Sequence, residues 1–226
     1  TEVVNYNRDI EAFNLLKRIL EKITGGQSMY QSPTDMGVNR ISSGIINDDI
    51  ISEASQQEII RRYLRCKVEF AMGLSEKDSL EHANNIMKKV GAKPEERSVV
   101  VPARKAAADA EICGKGNKGI FSGSAIELKD GTIITGKNST LLHASSSLIL
   151  NATKHLAGLP DNLFLLPKSI IDSVTHLKKN ILKAKVTSLD VEETLIVLSI
   201  SALSNPAAQM ALESLKQLRG CEVHTT

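Results

Sequence analysis

The fold class of this chain is decided by the stretch Ser124-Ala125-Ile126-Glu127-Leu128-Lys129-Asp130-Gly131-Thr132-Ile133-Ile134-Thr135. Its two apolar-rich runs flank Asp130-Gly131, a dipeptide typical of the tight turn of a β-hairpin. The long patterned segments before it space their apolar residues as helices do, so the hairpin marks a change of architecture. The sequence therefore predicts an α+β or α/β protein.

The residues before the hairpin predict a helical subdomain over residues 1–113. Its helices are expected at 9–24, at roughly 54–73, from Ser75 to Gly91, and from Pro102 to near Cys113. Ser55-x-x-Glu58 predicts a capping box at the start of the second of these helices. Residues 41–51 predict a short extended piece with a turn at Asn47-Asp48. The glycine-rich, basic residues 114–119 predict a linker.

The residues after the linker, 120–226, predict a subdomain of strands and helices. The expected elements after the hairpin are a helix at about 140–157, a strand at Asn162–Leu166, a helix opened by Pro167, a helix at about 206–218 and a strand from Cys221. The apolar run Leu195–Leu203 has the length of either a buried helix or a buried strand. The motif Asp190-x-x-Glu193 just before it favours the helix.

Composition excludes several classes of function. The chain has 226 residues, a net charge of +2 and 3% aromatic residues, so neither a basic surface nor base-stacking platforms indicate a nucleic-acid partner. Cys66, Cys113 and Cys221 lack metal or disulfide spacing, and no apolar run is long enough for a membrane span. We therefore expect a cytoplasmic protein without a membrane partner. The start without Met and the strand-like end predict a fragment of a longer protein.

The polar loop Ser32-Pro33-Thr34-Asp35-Met36-Gly37-Val38-Asn39 is one candidate binding site. Turn chemistry explains its Pro and Gly, but not the hydroxyl, carboxylate and amide groups of Thr34, Asp35 and Asn39. We expect these three side chains to contact a ligand; the alternative is an Asx-type turn that binds only its own backbone. Arg62 is expected to add a cation; the alternative, which general experience of exposed arginines favours, is a surface ion pair.

A second candidate site is the end of the hairpin, Thr135-Gly136-Lys137-Asn138-Ser139-Thr140. The side chains of Thr135, Lys137 and Ser139 precede a helix N-terminus, where the dipole and free amides favour an anion. The spacing is not that of a P-loop. The alternative is a hairpin exit with a helix cap, in which Lys137 points into solvent.

The predicted order of hairpin, helix, strand and helix resembles the cytidine-deaminase architecture. That family binds zinc through His-Ala-Glu at one helix and Pro-Cys-x-x-Cys at the next. Here the corresponding residues read His143-Ala144-Ser145 and Pro167-Lys168-Ser169-Ile170-Ile171. The resemblance therefore implies a three-layer, deaminase-like subdomain that lacks zinc ligands. No metal is predicted elsewhere either, because Glu222 and His224 on one strand face are too few ligands.

Several longer motifs resemble a bacterial family of unknown function, the domain of unknown function number 1846. The motifs are Val4–Asp9, Ser32–Asn39, Glu58–Tyr63, Ala125–Leu128, Thr135–Lys137, Leu198–Ala202, Asn205-Pro206 and Gly220–Glu222. The resemblance implies that full-length members are about twice this size and that this chain is their C-terminal half. It also implies that the absent N-terminal half carries a Gly-rich, phosphate-binding-like loop. No catalytic residue follows from it, and His143 departs from the small residue of other members.

Two functions remain open at this point. In the first, the chain contributes polar and cationic side chains to a small-molecule or nucleotide site that it shares with its own N-terminal domain, which would hold the nucleotide cofactor. In the second, it is a structural module whose apolar helix faces, especially in 190–218, form a homo-oligomer. The polar loops favour ligand binding, whereas the lack of an acid, base and nucleophile set favours structure.

Overall fold

The computed structural model describes residues 48–226 together with Ile19, Lys22, Ile23 and Gly25, and it does not describe the side chains of residues 48–52. Contacts divide the chain into two compact units, Thr1–Arg97 and Ser98–Thr226. The division lies earlier than the boundary predicted after residue 113. The helix predicted at 9–24 and the loop 32–39 lie outside the described residues, apart from the isolated positions within the former.

The described part of the first unit consists of two α-helices and a short 3₁₀ turn. These are α1 (Asp48–Ala71), α2 (Lys77–Val90) and the 3₁₀ turn Pro94–Glu96. Their apolar sides meet in a small core around Ile59, Ile60, Ile86 and Met87. Gly91 ends α2 in a left-handed conformation with a φ of 74°, as the sequence predicts for a helix C-terminus.

Two predictions on this unit are wrong. Ser55-x-x-Glu58 does not open a helix, because α1 already begins at Asp48 and Ser55 lies within it. Glu58 instead accepts a hydrogen bond at 2.9 Å from Arg61, one turn further along. The predicted extended piece at 41–51 is helical from Asp48 onward, and its residues 41–47 lie outside the described part of the chain.

The second unit is built on a three-stranded antiparallel sheet. Its strands are β1 (Gly123–Glu127), β2 (Ile133–Lys137) and β3 (Glu222–Thr225), in the order β2-β1-β3. The predicted hairpin and the predicted final strand are therefore confirmed. The side chain of Asp130 accepts a hydrogen bond from the backbone amide of Thr132 in the hairpin turn, and this bond lowers the pKa of Asp130.

Five helices surround or flank this sheet. They are α3 (Val100–Ile112), α4 (Ala144–Leu156), α5 (Lys168–His176), α6 (Val191–Ala202) and α7 (Pro206–Ser214). A π-helical turn, Leu177–Ile181, extends α5, and a 3₁₀ turn, Leu215–Leu218, follows α7. The helix alternative for Leu195–Leu203 is confirmed, because α6 covers the run to Ala202, with Leu203 as its C-cap, and starts at the predicted capping box of Asp190 and Glu193.

The strand predicted at Asn162–Leu166 is wrong, because these residues form turns before α5. Their burial explains the apolar pattern, since Leu165 and Leu166 pack into the main core. That core lies between α4, α6 and α7 and also includes Leu150, Val197, Leu198, Ala208 and Ala211. A short apolar run thus indicates burial here without indicating a strand.

Two glycines place helices on the two faces of the sheet. Ser124 pairs with Gly136 across the hairpin, and Gly123 precedes Ser124, so Gly123 and Gly136 lie on opposite faces. A Cβ on Gly123 would lie 2.2 Å from the Ala103 carbonyl oxygen in α3, and one on Gly136 would lie 2.3 Å from the Leu148 amide in α4. Helix α3 therefore covers one face and α4 the other, and the mixed α+β class is confirmed.

Candidate functional site

The second unit contains an open cleft of about 310 Å³ beside the N-terminus of α4. We call it the α4 cleft, and three short segments form its walls. The first is the turn Asn117–Ile120, the second runs from Asn138 to Ser145, and the third contains Val186 and Ser188. Ser122 and Thr225 complete the lining from the edge of the sheet.

The turn Asn117-Lys118-Gly119-Ile120 presents Lys118 to the cleft. Asn117 and Ile120 exchange backbone hydrogen bonds of 3.1 and 3.0 Å. Lys118 and Gly119 between them have φ values of 53° and 78°, as a type I′ turn requires. The Lys118 ammonium donates a hydrogen bond of 2.8 Å to the Lys185 carbonyl, which ties this wall to the third one.

The wall from Asn138 to Ser145 leads from β2 into α4. The buried Asn138 side chain accepts a hydrogen bond from the Ser122 amide at 2.9 Å and donates one to the Ile120 carbonyl at 2.8 Å. Ser139 accepts the amide hydrogens of Leu141 and Leu142 at 3.2 and 3.1 Å. These bonds fix the path of the chain between the strand and the helix.

Helix α4 starts in the cleft without a side-chain cap. Its N-cap is His143, whose ring makes no capping hydrogen bond, and the Ser147 amide closes the first turn on the His143 carbonyl at 3.0 Å. Within the described part of the chain, the amides of Ala144 and Ser145 find no hydrogen-bond acceptor. Both residues line the cleft, which therefore receives the positive end of the helix dipole.

A parallel backbone bridge joins the second and third walls. The His143 amide donates to the Leu189 carbonyl at 2.9 Å, and the Leu189 amide donates to the Leu141 carbonyl at 2.8 Å. The Ser146 hydroxyl adds a bond of 3.0 Å to the same Leu189 carbonyl. The bridge thus sets the position of Ser188, next in the chain to Leu189, relative to the start of α4.

A partly buried ion pair supports the third wall from behind. The Lys178 ammonium, with only 12% of its side chain exposed, lies 2.7 Å from a Glu193 carboxylate oxygen and donates at 2.8 Å to the Ser188 carbonyl. Glu193 also accepts the Asp190 amide hydrogen in the capping box of α6. The π-helical turn, Ser188 and the start of α6 therefore form one connected group.

The structure separates the residues predicted for the second candidate site. Ser139 lines the α4 cleft, whereas Lys137 pairs with Gly123 and so points to the α3 face of the sheet. There its ammonium lies 3.5 Å from an Asp109 carboxylate oxygen. Thr135 is two residues before Lys137 on β2 and points the same way. Strand alternation is the signal that would have separated Lys137 from the start of α4.

The first candidate site is described only in part. Thr34, Asp35 and Asn39 lie outside the described residues, while Arg62 is half-buried on α1 in the first unit. Residues that line the α4 cleft and that the prediction missed are Asn117, Lys118, His143 and Ser188. A sequence signal existed for two of them, because Asn and Gly flank Lys118 in a turn-like context.

The described residues hold no cluster of three or more His, Cys, Asp or Glu side chains able to bind a metal ion. In that same part of the chain, no helix combines the length and the apolarity needed to span a membrane. Cys66, Cys113 and Cys221 carry free thiols.

Comparisons with known proteins find one family over nearly the whole chain. Residues 95–226 match "Domain of unknown function DUF1846, C-terminal" and residues 1–91 match "Domain of unknown function DUF1846, N-terminal". The chain is 47% identical over 223 residues to the "UPF0371 protein" of Clostridium botulinum (strain Alaska E43 / Type E3), covering 99% of this chain and 44% of that protein. The "UPF0371 protein" of Clostridium tetani (strain Massachusetts / E88) is similar to the same extent, so the chain spans less than half the length of these relatives.

Proposed function

This chain belongs to the bacterial UPF0371 family with its DUF1846 domains. We propose that its second unit forms part of a site for a small anionic ligand of the nucleotide class. The α4 cleft is the location of the site. The remainder of the full-length protein, more than half of the relatives' length, completes it. Both matching families are described as domains of unknown function, so they indicate no ligand. The proposal therefore rests on the cleft alone.

The observation that carries this proposal is the charge of the cleft lining. The lining residues that the structure describes include Lys118, His143 and the first amides of α4, but no Asp or Glu. A helix N-terminus with a nearby cation favours a negatively charged group. The volume of about 310 Å³ lies at the lower end of the range for small-molecule pockets.

We also propose that the second unit has a deaminase-like architecture, which the elements around the cleft support. A hairpin leads into a helix whose N-terminus opens on the cleft, and helices cover both faces of the sheet. Cytidine deaminases use this position for a zinc-bound water and a glutamate. Here Ser145 occupies the place of the glutamate and Pro167 is followed by lysine, so we propose ligand binding without that zinc chemistry.

Isothermal titration of the full-length protein with a panel of nucleotides tests the proposal. We expect Lys118→Ala to weaken binding at least about tenfold, because a hydrogen bond to a charged group contributes roughly 1.5–3 kcal/mol. Lys137→Ala is the matched control, since Lys137 pairs with Asp109 on the α3 face. We expect its affinity to equal that of the wild type.

Two results would contradict the location in the cleft. One is an unchanged affinity for Lys118→Ala. The other is a loss confined to Lys137→Ala, which would move the ligand to the α3 face of the sheet.

We propose self-association through α6 as a second function, because an apolar row lies exposed on this helix. Ile196, Ile200 and Leu203 follow one another at helical spacing, and all three are exposed in the second unit.

We expect the full-length protein to sediment as a dimer and Ile200→Asp to sediment as a monomer. Ser173→Asp, which adds the same charge on the exposed surface of α5 and away from the row, is the control. A wild-type protein that stays monomeric at high concentration would reject this function.

A further inference from the structure

Ser188 is a buried polar residue of the α4 cleft whose hydroxyl accepts a hydrogen bond within the described fold but donates none there. Its side chain lines the cleft and is only 1% exposed. Its oxygen accepts a hydrogen bond from the Asn117 amide at 3.3 Å, but its own hydrogen has no acceptor among the residues that the structure describes. A buried donor without an acceptor costs about 1–3 kcal/mol, so an acceptor on a bound molecule would explain this serine.

Each of the three walls of the cleft also supplies hydrogen-bond donors. The amides of Ala144 and Ser145 lack acceptors, and Lys118 uses one of its three ammonium hydrogens for the Lys185 carbonyl. The second Asn117 amide hydrogen adds to them, because the first binds Ser188. Donors from three walls of the cleft therefore converge on one space, and the group that fits them is negatively charged and rich in acceptor oxygens.

A phosphate group matches these donors better than a carboxylate does. Its three terminal oxygens can accept hydrogen bonds from three directions, and a lysine together with a helix N-terminus is a common phosphate-binding combination. A carboxylate has two oxygens in one plane and is matched best by the planar fork of an arginine. No arginine is among the described lining residues.

The rest of the lining indicates that the phosphate is attached to an organic group. Ile120, Leu142 and Val186 contribute apolar surface beside the donors. The cleft volume of about 310 Å³ has room for one phosphate and a small organic group. We infer that the α4 cleft binds a phosphate monoester, with the phosphate held by Ser188, Asn117, Lys118 and the first amides of α4. This inference rests on the proposed function and narrows its ligand class.

Footprinting of His143 tests this inference in the full-length protein. His143 lines the cleft, whereas His176 lies exposed at the end of α5, outside the lining. The rate at which diethyl pyrocarbonate modifies each ring is followed by mass spectrometry. The probes are inorganic phosphate, glucose 6-phosphate, adenosine 5′-monophosphate, glucose, adenosine and butyrate. We expect at least one of the two esters to slow modification of His143 at least fivefold, and to leave the rate at His176 unchanged.

Two variants assign the effect to the proposed groups. We expect Ser188→Ala to raise the concentration of ester needed for half-protection about tenfold, because it removes one hydrogen bond to a charged group. Lys118→Met changes an exposed side chain, so it tests the phosphate contact without disturbing the core. Ser199→Ala on the exposed surface of α6 is the control and should protect as the wild type does.

The outcomes separate this inference from the proposed function. If inorganic phosphate protects His143 as well as both esters do, the cleft does not bind the organic group. If butyrate protects as well as the esters do, the cleft does not prefer a phosphate to a carboxylate. Protection by adenosine or glucose at the concentration of their phosphates would reject the anion contact. Nucleotide binding in titration without any protection of His143 would reject the inference alone, whereas no binding by any probe would reject the proposed function as well.

Discussion

Gly136→Ala is expected to lower the free energy of unfolding by at least about 3 kcal/mol, above the usual range for a single methyl group forced into a packed core. The new Cβ would lie 2.3 Å from the Leu148 amide nitrogen and 2.5 Å from the Ala144 carbonyl oxygen. Both atoms belong to the backbone of α4, so no side chain can rotate away. Urea unfolding followed by circular dichroism measures the loss.

The matched control for this substitution is Gly158→Ala. Gly158 follows α4 with a φ of 64°, and nothing lies within 4 Å of the position of its Cβ. Only the left-handed conformation opposes the methyl group there, which costs about 1 kcal/mol. Equal losses for the two variants would show that α4 does not contact the sheet as closely as described here.

Leu198→Ala is expected to lower the free energy of unfolding by about 2–5 kcal/mol, the range for a leucine truncated in a close-packed core. The Leu198 side chain is 0% exposed and packs among Leu150, Leu166 and Ala208 between α4, α6 and α7. A cavity would remain, because backbone atoms of three helices cannot move together to fill it. The midpoint and slope of urea unfolding give the change.

Ile200→Ala on the same helix is the control for the core substitution. Ile200 is 47% exposed, so its truncation removes much less buried apolar surface, and we expect a loss below about 1 kcal/mol. In a monomeric sample, a loss as large as that of Leu198→Ala would contradict the described rotation of α6. It would instead place Ile200 in an interface within the folded protein.

The elements of the second unit that rest on local chemistry could be predicted from the sequence. The Asp130-Gly131 turn specifies the hairpin, and the reciprocal hydrogen bonds of Asp190 and Glu193 start α6. The same motif at Ser55 and Glu58 misleads, because α1 extends to Asp48 and needs no cap there. A capping motif therefore specifies a helix start only where the preceding residues cannot themselves be helical.

Properties that depend on packing between distant segments could not be predicted in this way. Apolar periodicity shows that α3 has a buried side, but not that this side packs on the sheet. The sequence signal for that contact is the set of small residues at the interface, Ala103 in α3 and Gly123 in β1, which permit close approach. The buried run at Leu165 and Leu166 likewise indicates burial without showing which structure supplies it.

The candidate site was predicted in part for a related reason. The sequence predicts an anion at the helix start after the hairpin, and this stays a prediction; the structure describes the free amides of α4 at that place. Ser188, however, lies far from Ser139 in the chain and is brought to the cleft by the Leu189 bridge. The spacing of residues along the sequence does not predict which segments a parallel bridge brings together.

That bridge has a consequence for the search for ligands. Its backbone hydrogen bonds hold the Ser188 hydroxyl and the start of α4 at a constant separation, so any compound that contacts both must match one distance between its acceptor atoms. Small rigid molecules with oxygens at fixed spacing are therefore better screening compounds than long flexible ones, whose extra torsions lose entropy on binding without gaining a contact.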